Sequence, residues 1–294
     1  MDVKFVSGRN VTWDDTLYTE DQLALNNNYD LGSVEARTLS AIGAGSDGEY
    51  YYGSTIGTRE NIFFEYALMA ATPSDRDDFV QTIKTAFNPI DGIGTLTVTL
   101  ANGDIRAIFC TVVKEPVCLT GWDNRTGELQ KIQITLKAWD PFWRDPALKS
   151  YTLASFTGGL HFPIVAPMDF GTTNRSVTIV NNGNVPTPCT ITFTGDVTNP
   201  RVDIVNAVYS AGKYIAADMS VNAGEYLRIN TAQGQHSVRY IVGTTDSNGF
   251  QYLDPASEFF MIEPGSNTIS FTQSSAIGAS AACAVEYFEQ YIGV

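Results

Sequence analysis

The stretch Lys137-Ala-Trp-Asp-Pro-Phe-Trp-Arg-Asp-Pro146 closes one pattern and opens another. Before it, Leu129 to Trp139 alternates apolar and polar residues, with Leu129, Ile132, Ile134 and Leu136 set among Gln133, Thr135 and Lys137. That is the period of a half-buried strand. Pro141 and Pro146 then end it, because proline lacks the N–H that a ladder needs and holds the residue before it, Asp140 or Asp145, in an extended conformation. Trp139, Phe142 and Trp143 supply apolar area to anchor the resulting corner, about 25 cal/mol for each Å² removed from water. Trp139, Asp140, Pro141, Phe142, Trp143 and Pro146 therefore read as a pinned structural junction between two domains, residues 1–146 and 147–294.

Length agrees with that division. At 294 residues the chain exceeds the usual span of one hydrophobic core. A hydrophobic content of 44% with 17% charged residues describes a packed protein and not a disordered one. The net charge is −14, and both parts share it: residues 1–146 hold 12 basic and 21 acidic side chains, residues 147–294 hold 6 and 11. Such a surface repels phosphate backbones, so specific nucleic-acid binding is not expected. Cys110, Cys118, Cys189 and Cys283 form no CxxC and no dense spacing, which reads as reduced thiols and not as a disulfide framework or a zinc site. With no basic segment leading into an apolar core at the start, and no long apolar run, the expectation is a protein made and kept in cytosol-like conditions, without membrane insertion.

Strand patterns dominate the first part. Val34 to Ile42 reads as a strand, Gly43 to Gly48 as a turn, and Thr58 to Met69 as a strand covered on both faces. No Lys-Ser/Thr follows the glycines, and Tyr50, Tyr51 and Tyr52 are strand formers, so the run is not a phosphate loop. Met1 to Leu31, rich in Asn and Asp from Tyr18 onward, reads as loops with one or two short strands. Phe79, Ile83, Ala86 and Phe87 recur at helical spacing, predicting one amphipathic helix with Ser74 as N-cap. Asp75, Asp77 and Asp78 then sit at the positive end of its dipole, a capping role that explains them better than a metal cluster does. Thr95 to Leu100, Asn102-Gly103 and Ile105 to Val113 make a β-hairpin.

Beyond the corner, Tyr151 to Phe170 reads as a linker with short strands. Seven segments bounded by Gly, Asn, Pro or Asp follow: 176–180, 189–193, 201–205, 226–229, 237–242, 268–271 and 282–287. Many short strands without a helix predict a β-sandwich.

The corner, followed by Val180-Asn-Asn-Gly183, Thr194-Gly195, Asn199-Pro200, Gly224 to Asn230 and Pro264-Gly-Ser-Asn267, resembles the distal tail proteins of long-tailed bacteriophages, the siphovirus-type tail component. The resemblance implies a mainly β, two-domain protein. Its N-terminal domain would be a β-sandwich or barrel-like, ring-forming module with one α-helix, and its C-terminal domain a galectin-like β-sandwich. It further implies a homo-oligomeric ring, typically a hexamer, at the distal end of the tail, with a channel for DNA. The partners implied are the tail tube protein, the tape-measure protein, the tail-tip hub or tail-associated lysin, and receptor-binding or baseplate proteins. The location implied is the virion tail tip, after assembly in the host cytoplasm.

Nothing in the sequence argues for catalysis, a cofactor or a metal. His161 and His236 lack ligand spacing, and no GxSxG elbow accompanies either. The alternative is a carbohydrate-binding module for host-surface attachment, with Tyr209, Tyr214, Tyr226, Tyr240 and Tyr252 as stacking platforms. Against it, Trp13, Trp122, Trp139 and Trp143 all precede the second domain, and tyrosines in sandwich strands more commonly edge a core.

Overall fold

The computed structural model describes residues 1–19, 22–42, 47–153, 156–157, 172–173, 175–274 and 281–294, and the side chains of 26, 27, 156, 157, 172 and 173 are left aside. Most of the glycine run at 43–48, His161 and most of the 151–170 linker lie outside the described residues. The protein is mainly β, and its contacts divide it into two units, Met1–Pro146 with Tyr291–Val294, and Ala147–Gln290. The second unit thus stops short of the 147–294 block read from the sequence, because the last four residues return to the first.

In the first unit the strands are β1 (Asp2–Val6), β2 (Thr12–Asp14), β3 (Leu23–Ala41), β4 (Tyr50–Met69), β5 (Ile93–Thr99), β6 (Ile105–Val112), β7 (Val117–Cys118), β8 (Leu129–Ala138) and β9 (Trp143–Arg144). Seven of them follow one another in the sheet as β2-β1-β5-β6-β8-β4-β3, with β7 beside β8 and β9 beside β6. One helix, α1 (Pro73–Ala86), covers the sheet, burying Val80, Ile83 and Ala86 with Phe87 just beyond them. Its N-cap is Thr72 and not Ser74: the Thr72 hydroxyl accepts from the Asp75 N–H, and Pro73 occupies the first helical position, where its missing N–H costs nothing. Stacking of Phe5 on Phe87 at 4.8 Å, and of Trp13 among Tyr18, Phe79 and Tyr66, ties helix to sheet.

The expected alternation in β8 is present, with a shifted membership. Gln130, Ile132, Ile134, Leu136 and Ala138 form the buried row, whereas Leu129 lies on the other face beside Met69. Buried Gln130 is satisfied by donating to the carbonyls of Leu119 and Lys131. The Asn102-Gly103 hairpin joins β5 to β6 with Thr99 opposite Ile105, and Gly103 takes φ +88°, the conformation that glycine adopts freely.

Two expectations for the first unit are corrected. Residues 23–31 are part of β3 and not loop, held by pairing with β4 from Leu23 opposite Leu68 onward. In β4, Ile62, Phe64, Tyr66 and Leu68 are buried, while the opposite face is covered only in part, Phe63 and Ala67 being half-buried. Glu65 on that face is buried and accepts from Asn28 and Gln133.

The second unit opens with β10 (Lys149–Leu153) and a short pair, β11 (Phe156–Thr157) with β12 (Thr172–Thr173). Next come β13 (Ser176–Asn181), β14 (Cys189–Thr194), β15 (Val197–Thr198), β16 (Arg201–Val205), β17 (Lys213–Ala216) and β18 (Ser220–Val221). The set closes with β19 (Glu225–Asn230), β20 (Ser237–Val242), β21 (Thr245–Asn248), β22 (Gly265–Thr272) and β23 (Ala282–Tyr287), before β24 (Gln290–Tyr291) at the unit boundary. A six-stranded sheet, β10-β23-β14-β19-β20-β21, faces a four-stranded one, β13-β22-β16-β17. Alternate residues of each fill one core: Ile191, Phe193, Leu227 and Val285 from the first, Ile204, Ile215, Ile269 and Phe271 from the second. Phe193 and Phe271 meet across it at 5.8 Å. All seven segments expected as strands here are strands.

Candidate assembly surface

The corner divides into a buried part and an exposed part. Trp143 has no exposed surface and belongs to the core of the first unit, Phe142 is half-buried, and Trp139 is 59% exposed. The expectation that Trp139 anchors the corner by burial therefore fails. The buried row of β8 ends at Ala138, so the alternation itself puts Trp139 on the outer face, where Lys137 lies over its ring at 4.8 Å and Thr111 accepts from its N–H. Asp140 shapes the turn by accepting from the Phe142 N–H at 3.2 Å.

Arg59, which sequence reasoning did not single out, fastens the corner. It is 3% exposed, and its guanidinium donates to the carbonyls of Pro141 (3.0 Å), Gly32 (2.6 Å) and Ile292. The same group lies 5.9 Å from the Trp143 ring centroid. Burial lowers its pKa against a smaller opposing pull from Asp30. One side chain thereby joins β3, β4, the corner and the closing segment of the first unit. Its only sequence signal is a cation where the apolar part of β4 begins.

On the far side of Arg59 the sheet narrows. The β8 strand borders β4 only from Arg59 to Met69, so, among the described residues, 36–41 and 50–56 pair with one another alone. They form a two-stranded arm about 20 Å long at 3.3 Å per residue. Leu39, Ile42, Tyr50, Tyr51 and Tyr52 on it are each more than half exposed. Sequence reading recognised strand formers at Tyr50–Tyr52, but not that their strand runs beyond its neighbour.

In the second unit the turn residues serve the fold. Buried Asn181 donates to Ile262 O and Val185 O and accepts from the Gly183 N–H, while Asn182 donates to Glu289. Asn267 is fully buried and bonded to Glu263, Gly265 and Asn206. Of the five tyrosines considered for stacking, Tyr209 donates to Glu263, Tyr240 donates to Glu225 and meets Tyr252 edge-on, and Tyr214 lies under Arg201. Tyr226 is the one that stands out to solvent, at 41%. His236 stacks flat on Phe259 at 4.2 Å. Cys110, Cys189 and Cys283 are buried free thiols and Cys118 is a half-buried one. Among the described residues no group of three or more His, Cys, Asp or Glu is placed to hold a metal, and no helix is long and apolar enough to cross a membrane.

Comparison with known proteins bears on both units. Residues 182–291 match the model of the siphovirus-type tail component, C-terminal domain. The Dit protein of phage SPP1, described as a paradigm of the hub adsorption apparatus in phages that infect Gram-positive bacteria, is similar over 98% of each chain, with 13% identity and a TM-score of 0.62. A chain of the phage p2 baseplate in its activated conformation with calcium aligns over 100% of this chain and 99% of its own, with 13% identity and a TM-score of 0.48. No curated protein matches by sequence. Most of the second unit thus matches the siphovirus-type tail component, C-terminal domain, and the chain as a whole is similar in fold to phage SPP1 Dit.

Proposed function

We propose that this chain is a structural, non-enzymatic component of a phage tail tip, a distal tail protein whose copies close into a ring between the tail tube and the host-recognition apparatus. The observation that carries the reading is the arm formed by residues 36–41 and 50–56. A two-stranded ribbon is marginal in water on its own, and this one has both edges open among the described residues and carries exposed aromatic side chains. Pairing with arms or edges of neighbouring copies would satisfy both, and a head-to-tail contact of that kind closes into a ring when its rotation permits. The family resemblance sets six copies as the expected number, with the tube, tape-measure and hub proteins as neighbours. A chain of net charge −14 offers a passing DNA duplex no counter-charge to hold it, which suits a channel.

The corner fits the same reading as a structural junction, since Pro146 is the last residue of the first unit before the chain enters the second. The test is the oligomeric state of the full chain by mass photometry, with negative-stain images, against a variant in which residues 37–54 are replaced by a short Asn-Gly turn. Rings with a central hole are expected from the parent and monomers with an intact thermal transition from the variant. Rings from the variant would remove the arm from the explanation.

A further inference from the structure

The loop from Leu119 to Glu128, between β7 and β8, carries Trp122 at 87% exposure, the most exposed large apolar side chain among the described residues. The loop around it is fixed. The N–H groups of Asn124 and Arg125 both donate to Gly121 O, Asn124 Nδ2 donates to Thr120 O, and Lys131 N donates to Asn124 O. Thr126 and Leu129 bond reciprocally. Nearly buried Arg76, reaching from α1, donates to the carbonyls of Thr126 (2.8 Å) and Gly127 (3.0 Å). A tryptophan on a braced loop binds without the entropy cost of ordering that loop, and tryptophan is the residue most enriched at the centres of protein interfaces.

Its surroundings state the chemistry of the partner. The loop itself carries exposed Asp123 and Glu128 with Arg125 as its cation, and Arg76 bonds it at Thr126 and Gly127 from the first turn of α1, where Asp75 and Asp78 are exposed and Asp77 is paired with Arg76. A second copy of this acidic chain is a poor match for those carboxylates. We propose that Trp122 anchors a docking site for a different protein, one presenting an apolar cleft bordered by lysine or arginine. Only the choice of partners for the test rests on the tail-component reading.

Two probes are used, the tail-tube protein and the tail-hub protein of the same phage, purified separately and bound to the full-length chain by biolayer interferometry at low and high salt. Trp122→Ser should weaken binding to one of them by about 30-fold or more, the loss typical of a central interface residue, and Trp122→Phe should recover most of it. Asp78→Asn/Asp123→Asn/Glu128→Gln should weaken the same complex and flatten its salt dependence. Thermal unfolding and oligomeric state, read on the same samples, should stay those of the parent. Binding of Trp122→Ser to both probes within threefold of the parent overturns the proposal, as does failure of the parent to bind either probe. A change of oligomeric state in Trp122→Ser without a partner assigns the residue to a contact between copies and overturns it too. If the parent forms no ring yet Trp122→Ser loses its partner, the ring reading falls and the docking site stands.

Discussion

Replacing Trp143 with alanine tests the account of the corner most directly. The side chain has no exposed surface and packs within the core of the first unit, so its removal leaves a cavity that neighbouring strands fill only in part. Large aromatic-to-alanine changes at such sites cost about 3–5 kcal/mol. Loss of the ring face under Arg59 adds roughly 0.5–1 kcal/mol. For a unit of this size each kcal/mol lowers the melting temperature by about 2–4 °C, so a fall of roughly 7–24 °C is expected. The assay is built into the chain, because Trp13, Trp122, Trp139 and Trp143 all lie in the first unit and tryptophan fluorescence follows that unit alone. Far-UV circular dichroism follows both. The fluorescence transition of Trp143→Ala should move while the dichroism of the second unit does not. Trp143→Phe should be milder, since it keeps most of the apolar volume and removes a buried indole N–H that has no acceptor among the described residues. Trp139→Ala, at an exposed position, should cost less than about 1 kcal/mol. Equal losses from Trp139→Ala and Trp143→Ala, or a Trp143→Ala loss under about 1 kcal/mol, would refute the partition of the corner into a buried and an exposed half.

Three further outcomes are expected. Gly183→Ala would place a Cβ 2.3 Å from the Gln290 carbonyl oxygen, a backbone atom with little room to retreat, so chemical denaturation should show a loss of about 1–3 kcal/mol in the second unit. Burial pushes the thiols of Cys110 and Cys189 up to about 12 and that of Cys283 also upward, so Ellman's reagent at pH 8 should modify native Cys118 alone and reach all four only after unfolding. Burial also raises the Asp15 carboxyl above its ordinary 3.8, against the hydrogen bonds from Val3 and Tyr66. The folded state therefore keeps that proton to higher pH than the unfolded state does, and the stability from this group falls as pH rises above 3.8. Asp15→Asn should accordingly improve relative to the parent between pH 3.5 and pH 7, and a ratio of unfolding constants that does not change with pH would count against it.

Local chemistry made parts of this fold legible. The alternation of β8, the Asn102-Gly103 hairpin and the spacing of Ile83, Ala86 and Phe87 are each written within a dozen residues, and each is present. The cap moved from Ser74 to Thr72 because two adjacent hydroxyl residues flank Pro73, and only the earlier one leaves the proline in the first turn. Residues 23–31 were not legible, since Asn and Asp have low strand propensity and it is pairing with a partner some forty residues away that makes them a strand. The same holds for the arm. Its exposure follows from where β8 stops, a matter of register between distant segments. Arg59 went unnoticed because its partners are backbone carbonyls, to which any sequence contributes equally. The proposed docking loop was recognised as a loop, but the brace supplied by Arg76 from a separate element was not.

The return of Tyr291–Val294 to the first unit makes the second an insertion between Pro146 and the closing segment, and this orders events in time. On the ribosome the first unit waits, with the place of Ile292 beside Arg59 vacant, while the intervening unit is synthesised. At 5–20 residues per second that interval is about 7–30 s, long enough for a small domain to fold. The Ile292 carbonyl, which accepts from Arg59, is thus supplied only after the whole of the second unit has been translated. In that sense one guanidinium ties the folding of the first unit to the completed synthesis of the second.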